Sequence, residues 1–220
     1  MTDVRPFGEA ALLVAVADAS AAQALAAALR RDPPEGVTAV VPGRDSVLVE
    51  LDVLAVDADA VADALARLPP VPTEEGARQR TVPVVYGGEH GPDLDDVAVQ
   101  AGTSPEAVIE LHVATEVRVL FGGFAPGFAY LGDVAAPLRV GRLPIPRTRT
   151  PTGSVALADG MTGIYPAELP GGWRVIGRTP ITLFDPHRSP PAYLVPGDRV
   201  RFAPIALAEW DDHAGPPRDW

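Results

Sequence analysis

The stretch "VRVLFGGFAPGFAYLG", Val117 to Gly132, sets the expectation for the fold of the second half of the chain. Its short apolar runs are separated by glycine and proline, and the same pattern continues in "GSVALADG", "WRVIGRTP" and "PGDRVRF". Short strands divided by turns are typical of β-sandwiches and β-barrels. We therefore expect an all-β sandwich or barrel over residues 81–210, followed by a loose tail over residues 211–220.

The first 80 residues alternate between strand and helix patterns. "EAALLVAV", "VTAVVPG" and "SVLVELDV" predict strands, whereas "SAAQALAAALRR" and "DADAVADALARL" predict helices. With "TVPVVYG", Thr81–Gly87, as the last strand, the order is βαββαβ, which is typical of a ferredoxin-like sandwich. The expected fold class is thus α+β, with an N-terminal α/β domain over residues 1–80 and a boundary in "PPVPTEEGARQR", Pro69–Arg80. The side of this boundary on which Thr81–Gly87 belongs stays open.

Composition excludes several classes of function. The formal net charge is −11, and an acidic surface repels nucleic acid and anionic membranes, so we expect neither as a partner. The sequence contains no cysteine, which excludes disulfides and zinc–thiolate sites. All 18 basic residues are arginine, so lysine-based Schiff-base chemistry is impossible. No apolar run is long enough to span a bilayer, and Met1–Asp18 lacks the basic region of a secretion signal. We expect a cytoplasmic protein.

Two short helices are predicted in "PDLDDVAVQAG" and "SPEAVIELHVAT", joined by a glycine turn. A DNA-reading helix-turn-helix has this general form. However, the acidic residues of the pair greatly outnumber the one nearby base, Arg118, and the phosphate backbone would repel such a helix. The pair is therefore expected to serve packing.

The usual catalytic motifs are missing from the sequence. It has no Gly-x-Ser-x-Gly elbow, no phosphate-binding loop that ends in Gly-Lys, and no His-Glu-x-x-His. The four histidines are too scattered to predict a metal site, and we expect none. If the chain is an enzyme, loops of its β-rich half must build the site.

Three features of that half are candidates, each with a structural alternative. "GFAPGFAYLG" places Phe124, Phe128 and Tyr130 around a Pro-Gly turn, where they either wall an apolar pocket or fill the barrel core. "LPIPRTRTPTGSV" holds Arg147 in a proline-stiffened run, either as a carboxylate or phosphate ligand or as surface charge. His112 lies on an apolar helix, either as a base or as a buried histidine with internal hydrogen bonds.

A series of motifs, in order along nearly the whole chain, carries a resemblance to a known family. They are "VPVVYGGEHGPDL", "ELH", "FGGFAPGFAYLG", "GSV", "TGIYPAELPGGWRVIGRTP", "LFDP" and "PGDRVRF". The chain resembles the family of the 5-oxoprolinase B subunit, also described as the allophanate-hydrolase subunit 1 or Kip inhibitor family. This resemblance implies an N-terminal α/β domain followed by a cyclophilin-like β-barrel.

The resemblance also implies a function. In its commonest bacterial role, the family forms part of an ATP-dependent 5-oxoprolinase that opens 5-oxo-L-proline to L-glutamate, together with a C subunit and an A subunit. The chain would be a non-autonomous component of that hydrolase; the complex uses ATP, and no cofactor is assigned to this chain itself. Related sequences form part of the carboxyltransferase domain of biotin-dependent urea carboxylase, and another relative inhibits a sporulation histidine kinase. These two roles are the alternatives.

Site roles follow from motif position and residue chemistry, as hypotheses. Two arginines are expected to hold a carboxylate or phosphoryl group, three side chains to supply hydrogen bonds, and four aromatic residues to wall the pocket. These are Arg147 and Arg178; His112, Thr162 and Tyr165; and Phe124, Phe128, Tyr130 and Trp173. The loop "TGIYPAELPGGW", Thr162 to Trp173, would form a rim that faces the substrate or a partner. Met161 departs from the family, which usually has glutamine there, and altered chemistry is one expectation from that change.

Overall fold

The computed structural model describes residues 3–68 and 78–220. These residues form two compact units, and the division falls between residues 76 and 77. Most of the predicted boundary segment, residues 69–77, lies outside the described residues. No helix in the described part of the chain is both long and apolar enough to cross a membrane.

The first unit is a two-layer α/β sandwich. Four antiparallel strands form a sheet in the order β1-β2-β4-β3, and two helices pack on it. The strands are β1 (Val4–Pro6), β2 (Ala11–Ala15), β3 (Val37–Pro42) and β4 (Ser46–Leu51), and the helices are α1 (Ala19–Arg31) and α2 (Ala58–Ala66).

Alternation and helical spacing place the core of this unit between its two layers. Val47 and Val49 of β4 are fully buried, and they share one apolar core with Leu25 and Leu29 of α1 and Leu65 of α2. Side chains two residues apart on a strand share a face, and those three or four apart on a helix do the same. The sequence pattern therefore positions both layers correctly.

The last strand of the βαββαβ order, whose side of the boundary the sequence leaves open, lies in the second unit. The predicted strand Thr81–Gly87 corresponds to β5 (Gln79–Tyr86), which lies in the second unit between two strands of a barrel. In the N-terminal sheet the outer place beside β2 is taken by β1, with Val4 opposite Val14. The physical reason is burial: consecutive residues of β5 are buried, and a strand covered on both faces belongs inside a larger sheet.

The second unit is built on the predicted β-barrel, which is confirmed as a closed barrel of seven strands. The order around it is β10-β7-β6-β13-β5-β12-β9, and β9 pairs with β10 to close it. After β5 the elements are α3 (Leu94–Ala101), α4 (Pro105–Ala114), β6 (Val117–Gly122), β7 (Ala129–Gly132), β8 (Arg147–Thr150), β9 (Ser154–Ala158), β10 (Met161–Ile164), β11 (Leu169–Gly171), β12 (Arg174–Arg178) and β13 (Arg199–Pro204). β8 and β11 form a separate two-stranded sheet.

Alternating residues of β9 contribute to two different apolar cores. Val155 and Leu157 pack in the core that also contains residues of α3 and α4. Ala156 and Ala158 point to the opposite face of the strand, where they pack against large aromatic rings. The small side chains of β9 thus leave room for an aromatic layer on one face of the barrel wall.

The acidic helix pair packs against the barrel. α3 ends at Gly102, whose φ of 66° is a left-handed conformation that glycine adopts without strain. α4 begins at Pro105, and the Ser104 side chain caps it by accepting a hydrogen bond from the Ala107 amide. α3 contacts β12 and α4 contacts β13, so the pair serves packing in this unit.

The C-terminal tail, expected to be loose, packs against the barrel. Asp219 accepts a hydrogen bond from Arg80 Nη1 at 2.6 Å and another from the Tyr193 hydroxyl at 3.1 Å. The Trp220 ring lies 5.8 Å from the Tyr193 ring. Arg80 is only 4% exposed, and a buried guanidinium requires a carboxylate partner. The ion pair between Arg80 and Asp219 therefore holds the C-terminal residues against the barrel.

Replacing Asp219 by Asn should therefore lower the free energy of unfolding by about 1–3 kcal/mol. Arg80 would keep its buried charge, while its other carboxylate, that of Asp198, is 3.8 Å from Nε. Chemical denaturation measures the change. Asp212→Asn, in an exposed part of the same tail, is the control and should have almost no effect. Equal midpoints for the two variants would show that the tail does not stabilise the barrel.

Candidate functional site

A chain of buried hydrogen bonds links α4 to two strands of the barrel. His112 Nδ1 lies 2.8 Å from the Tyr86 hydroxyl, and His112 Nε2 lies 3.1 Å from Thr162 Oγ1. The Thr162 hydroxyl donates to the Ala156 carbonyl at 3.1 Å, so it accepts from Nε2–H. Nδ1 then accepts the proton of Tyr86. This assignment uses both nitrogens of a neutral imidazole.

Burial keeps the side chains of this hydrogen-bonded series uncharged. Burial lowers the pKa of His112 to about 3 and raises the pKa of Tyr86 well above its usual range. His112 is 1% exposed and stacks on Phe202 with ring centres 4.2 Å apart. His112 and Thr162 thus have hydrogen-bond partners inside the protein, and the expectation that they supply hydrogen bonds to a substrate stays a prediction. His112 is the buried, internally bonded histidine of the two alternatives.

Six aromatic rings form a continuous cluster on the barrel. Phe128 lies at its centre, with ring centres 4.9 Å from Tyr130, 5.4 Å from Tyr165 and 5.9 Å from Trp173. Most neighbouring rings meet edge to face, the arrangement that the ring quadrupoles favour. The aromatic cluster consists of Phe121, Phe124, Phe128, Tyr130, Tyr165 and Trp173.

A glycine beneath the cluster makes this packing possible. A Cβ at Gly163 of β10 would lie 3.0 Å from Phe128 and 3.1 Å from Trp173. Contacts that short would force the rings apart. Met161, at the start of β10, is buried and packs in the same core. Its flexible thioether fills space against the rings, so the residue that replaces the expected glutamine acts in packing.

Exposure divides the predicted aromatic residues into two groups. Phe128, Tyr165 and Trp173 are 3%, 1% and 5% exposed, so they support the surface from within and do not wall an open pocket. Phe124 is 57% exposed and Tyr130 is half-buried. Phe124 also has a φ of 68°, a left-handed conformation that is strained for a phenylalanine. The surface of the cluster is therefore formed by Phe124 and Tyr130.

Tyr165 uses its hydroxyl inside the protein. Burial raises its pKa, and hydrogen bonds from the Trp173 backbone and the Thr150 side chain partly offset that effect. Gly171 lies so close to the hydroxyl that a Cβ there would collide with it. The Tyr165 hydroxyl thus has internal partners, and its role in hydrogen bonding to a substrate stays a prediction.

Arg147 already has a carboxylate partner within the chain. Its Nη2 lies 2.6 Å from Asp93 Oδ1, and the Arg147 side chain is 29% exposed. The second oxygen of Asp93 accepts the Val175 amide at 2.7 Å, and the Asp93 amide donates to the Val175 carbonyl at 2.9 Å. Asp93 therefore joins the start of α3 to both β8 and β12. The carboxylate that Arg147 was expected to bind in a substrate is, in this structure, that of Asp93.

Two further arginines are also held by the chain itself. Arg178 Nε donates to the Thr152 carbonyl at 2.7 Å, and its guanidinium carbon lies 5.5 Å from the centre of the Trp210 ring. Arg174, which the sequence did not single out, is bonded to Asp96 and donates from Nε to the Gly141 carbonyl at 2.8 Å. Neither guanidinium is an obvious ligand for a substrate.

Arg142 lies beside the aromatic cluster and was not predicted from the sequence. Burial raises the pKa of both Tyr130 and Tyr165, and the positive charge of Arg142 partly counteracts it at each hydroxyl. Its side chain is 57% exposed, and Nε donates to Asp159 Oδ2 at 2.9 Å. The sequence offered one signal: an arginine that precedes the proline-stiffened run "LPIPRTRTP".

The barrel, the α/β unit and the motif order together define a class of protein. The chain belongs to the family of the carboxyltransferase domain, subdomain C and D, whose model matches residues 2–194. It is 43% identical over 178 residues to the 5-oxoprolinase B subunit of Escherichia coli O157:H7. That alignment covers 79% of this chain and 80% of the relative.

Solved structures show the same fold. A crystal structure of TTHA0988 matches with a TM-score of 0.76 and 39% identity, over 94% of this chain and 40% of that one. The urea amidolyase of Kluyveromyces lactis matches with a TM-score of 0.78 over 96% of this chain and 15% of its own. The identity there is 20%, so that likeness concerns the fold alone. The chain thus spans less than half of the length of these two structures.

The depressed pKa of His112 predicts a dependence of stability on pH. The folded protein keeps His112 neutral down to about pH 3, whereas the unfolded chain binds a proton near pH 6.5. Stability is therefore fully present above pH 6.5 and is lost as the pH falls below it, by up to about 1.4 kcal/mol per pH unit for one proton.

His112→Gln should flatten this slope between pH 6.5 and 5. The variant should also be less stable at pH 8, by about 2–4 kcal/mol, because the buried hydrogen bonds are disturbed. Urea titrations of both proteins across this range measure the slope. A variant with the wild-type slope would show that His112 is not the titrating group.

Arg147→Ala should destabilise the barrel unit by about 2–4 kcal/mol, because it leaves the Asp93 carboxylate without its ion-pair partner. Arg149→Ala is the matched control on the same strand. The Arg149 side chain is 80% exposed and 3.3 Å from Glu168, so its loss should cost less than about 1 kcal/mol. Thermal unfolding compares the two. Equal stability of the two variants would show that Arg147 is an ordinary surface charge.

Proposed function

We propose that the chain is the B subunit of a 5-oxoprolinase. It would act in an ATP-dependent complex that opens 5-oxo-L-proline to L-glutamate. The observation that carries the proposal is the 43% identity to a protein of that name, over 79% of this chain. Identity at that level over most of a chain reflects more than a shared fold.

The proposed reaction explains why several subunits are needed. The amide of 5-oxoproline is a stable lactam, and ATP can activate its carbonyl as an acyl phosphate before water opens the ring. We assign partnership with an A subunit and a C subunit, and ATP binding to the complex as a whole. The barrel would be of the cyclophilin-like type, the N-terminal sandwich would belong to the ferredoxin-like class apart from its replaced edge strand, and the complex would work in the cytoplasm.

The substrate surface is proposed at the exposed side of the aromatic cluster. Phe124 and Tyr130 have ring surface that a small cyclic molecule can contact. Phe128, Tyr165 and Trp173 hold those two rings in place from below. His112 and Thr162 fix the barrel wall behind them. A surface made of rigid rings suits a flat, five-membered lactam.

Reconstitution tests this function directly. Co-expression with the A and C subunits should give ATP-dependent release of glutamate from 5-oxo-L-proline, and the purified chain alone should give none. Omitting this chain should abolish the release, and omitting ATP is the matched control. Full activity of the other two subunits without this chain would refute the proposal.

The two alternatives give different results in the same preparation. A carboxyltransferase role predicts binding to a biotinylated carrier protein, and the likeness to urea amidolyase favours it at the level of fold alone. A regulatory role predicts tight binding to a sensor histidine kinase and no effect on glutamate release. If the reconstituted complex releases no glutamate and one of these two binding reactions is observed, the corresponding alternative would replace the oxoprolinase assignment.

A further inference from the structure

Arg142 differs from the other arginines near the aromatic cluster. Arg147 is paired with Asp93, and Arg174 is 9% exposed and bonded to Asp96 and to the Gly141 carbonyl. The Arg142 side chain is 57% exposed. Within residues 78–220, the hydrogen bond described for it uses Nε alone. Its two terminal nitrogens are therefore donors that a ligand can engage.

The backbone fixes Arg142 in place on both sides. The Leu143 amide donates to the Gly172 carbonyl at 2.7 Å, which ties the segment to the residue before Trp173. The Gly141 carbonyl accepts from Arg174, and the Val140 carbonyl accepts from the Asp159 amide at 2.9 Å. Residue 142 is thus anchored beside the aromatic cluster by neighbours in two segments, one around residues 172–174 and one at Asp159.

Asp159 orients the guanidinium. It lies in the turn between β9 and β10 with a φ of 52°, and Gly160 follows with a φ of 81°. A tight turn of this kind holds its side chain at a defined place. The carboxylate of Asp159 accepts a hydrogen bond from Nε of Arg142. This bond fixes the plane of the guanidinium and leaves Nη1 and Nη2 for a second partner. A guanidinium held in this way loses less entropy when it binds a carboxylate.

The charge of Arg142 acts at the exposed rings. Its ion-pair partner Asp159 lies between Ala158 and Met161, which both pack in the apolar core of the cluster, and the positive charge lowers the pKa of Tyr130 against the effect of burial. It acts on Tyr165 in the same way. A positive charge therefore lies beside the aromatic cluster, whose exposed side carries the rings of Phe124 and Tyr130. That combination suits a small molecule with a flat apolar ring and an attached carboxylate.

We infer that Arg142 binds the carboxylate of the cyclic substrate, while Phe124 and Tyr130 contact its ring. This inference rests on the proposed function, and it names the residue that selects a carboxylated lactam over a plain one. 5-Oxo-L-proline has both groups, whereas 2-pyrrolidinone has the same ring without the carboxylate. The role is one of substrate recognition and includes no covalent step.

The test uses the complete complex with ATP and compares Arg142→Ala with Arg142→Lys. Loss of charged hydrogen bonds should raise the KM for 5-oxo-L-proline about tenfold or more in Arg142→Ala. The KM for ATP should not change. Arg142→Lys should recover only part of the loss, because an ammonium group cannot form the two parallel bonds. Inhibition by 2-pyrrolidinone should be equal in wild type and variants.

Arg149→Ala serves as the control, since that arginine is 80% exposed and paired with Glu168. A KM for Arg142→Ala within about twofold of this control would overturn the inference. Equal weakening of 5-oxo-L-proline and 2-pyrrolidinone would also overturn it, because the effect would then concern the ring surface. If Arg142→Ala fails to assemble, Arg142→Gln, which keeps a hydrogen-bonding side chain, provides the same comparison.

A wild-type complex that releases no glutamate would refute the proposed function itself, and the role of Arg142 with it. An active wild-type complex with a normal Arg142→Ala variant would refute only the role of Arg142. The two failures are therefore distinguishable in one set of assays.

Discussion

The second unit depends on one carboxylate, that of Asp93. It accepts hydrogen bonds from Arg147 and from the amide of Val175, and so it joins α3, β8 and β12 at one point. β8 pairs with β11, where Arg147 is opposite Gly171. Both strands that flank the loop around Trp173 are thereby fixed to the same helix start. A partly buried carboxylate is stable only with such partners, so the aromatic cluster and this ion pair support one another.

In the interior of the barrel wall, too, each buried polar side chain of one network has a hydrogen-bond partner. The chain from Tyr86 through His112 and Thr162 to the Ala156 carbonyl leaves no nitrogen of the imidazole unused. A fully satisfied buried network specifies one arrangement of helix and strands, whereas an incomplete one would cost free energy. The residue types that suggest acid–base chemistry in a sequence are equally suited to this structural task. Burial decides between the two.

Glycine and proline, which mark the turns, predicted an all-β sandwich or barrel, and the family resemblance decided for the barrel that the structure shows. The sequence left the sheet of β5 open, because a buried strand gives the same apolar pattern whichever sheet contains it. For the site, it identified the aromatic rings but could not say that Phe128 and Trp173 are buried while Phe124 is exposed. The pairing of Arg147 with Asp93 was not predicted, because the two residues are 54 positions apart in the chain. No local sequence pattern predicts an ion pair between residues so far apart.

The division of the barrel residues into buried and exposed ones suggests how one barrel fold can serve different reactions. The likeness to urea amidolyase at 20% identity shows that this fold alone does not specify an oxoprolinase. Residues such as His112 and Met161, which are buried, can change only through repacking, so they are poor places to alter a substrate. The exposed side chains of Phe124 and Arg142, and the exposed edge of Tyr130, can change with less effect on the core. Differences in substrate among proteins with this barrel should therefore concentrate in those exposed positions, and the interior should remain a common support.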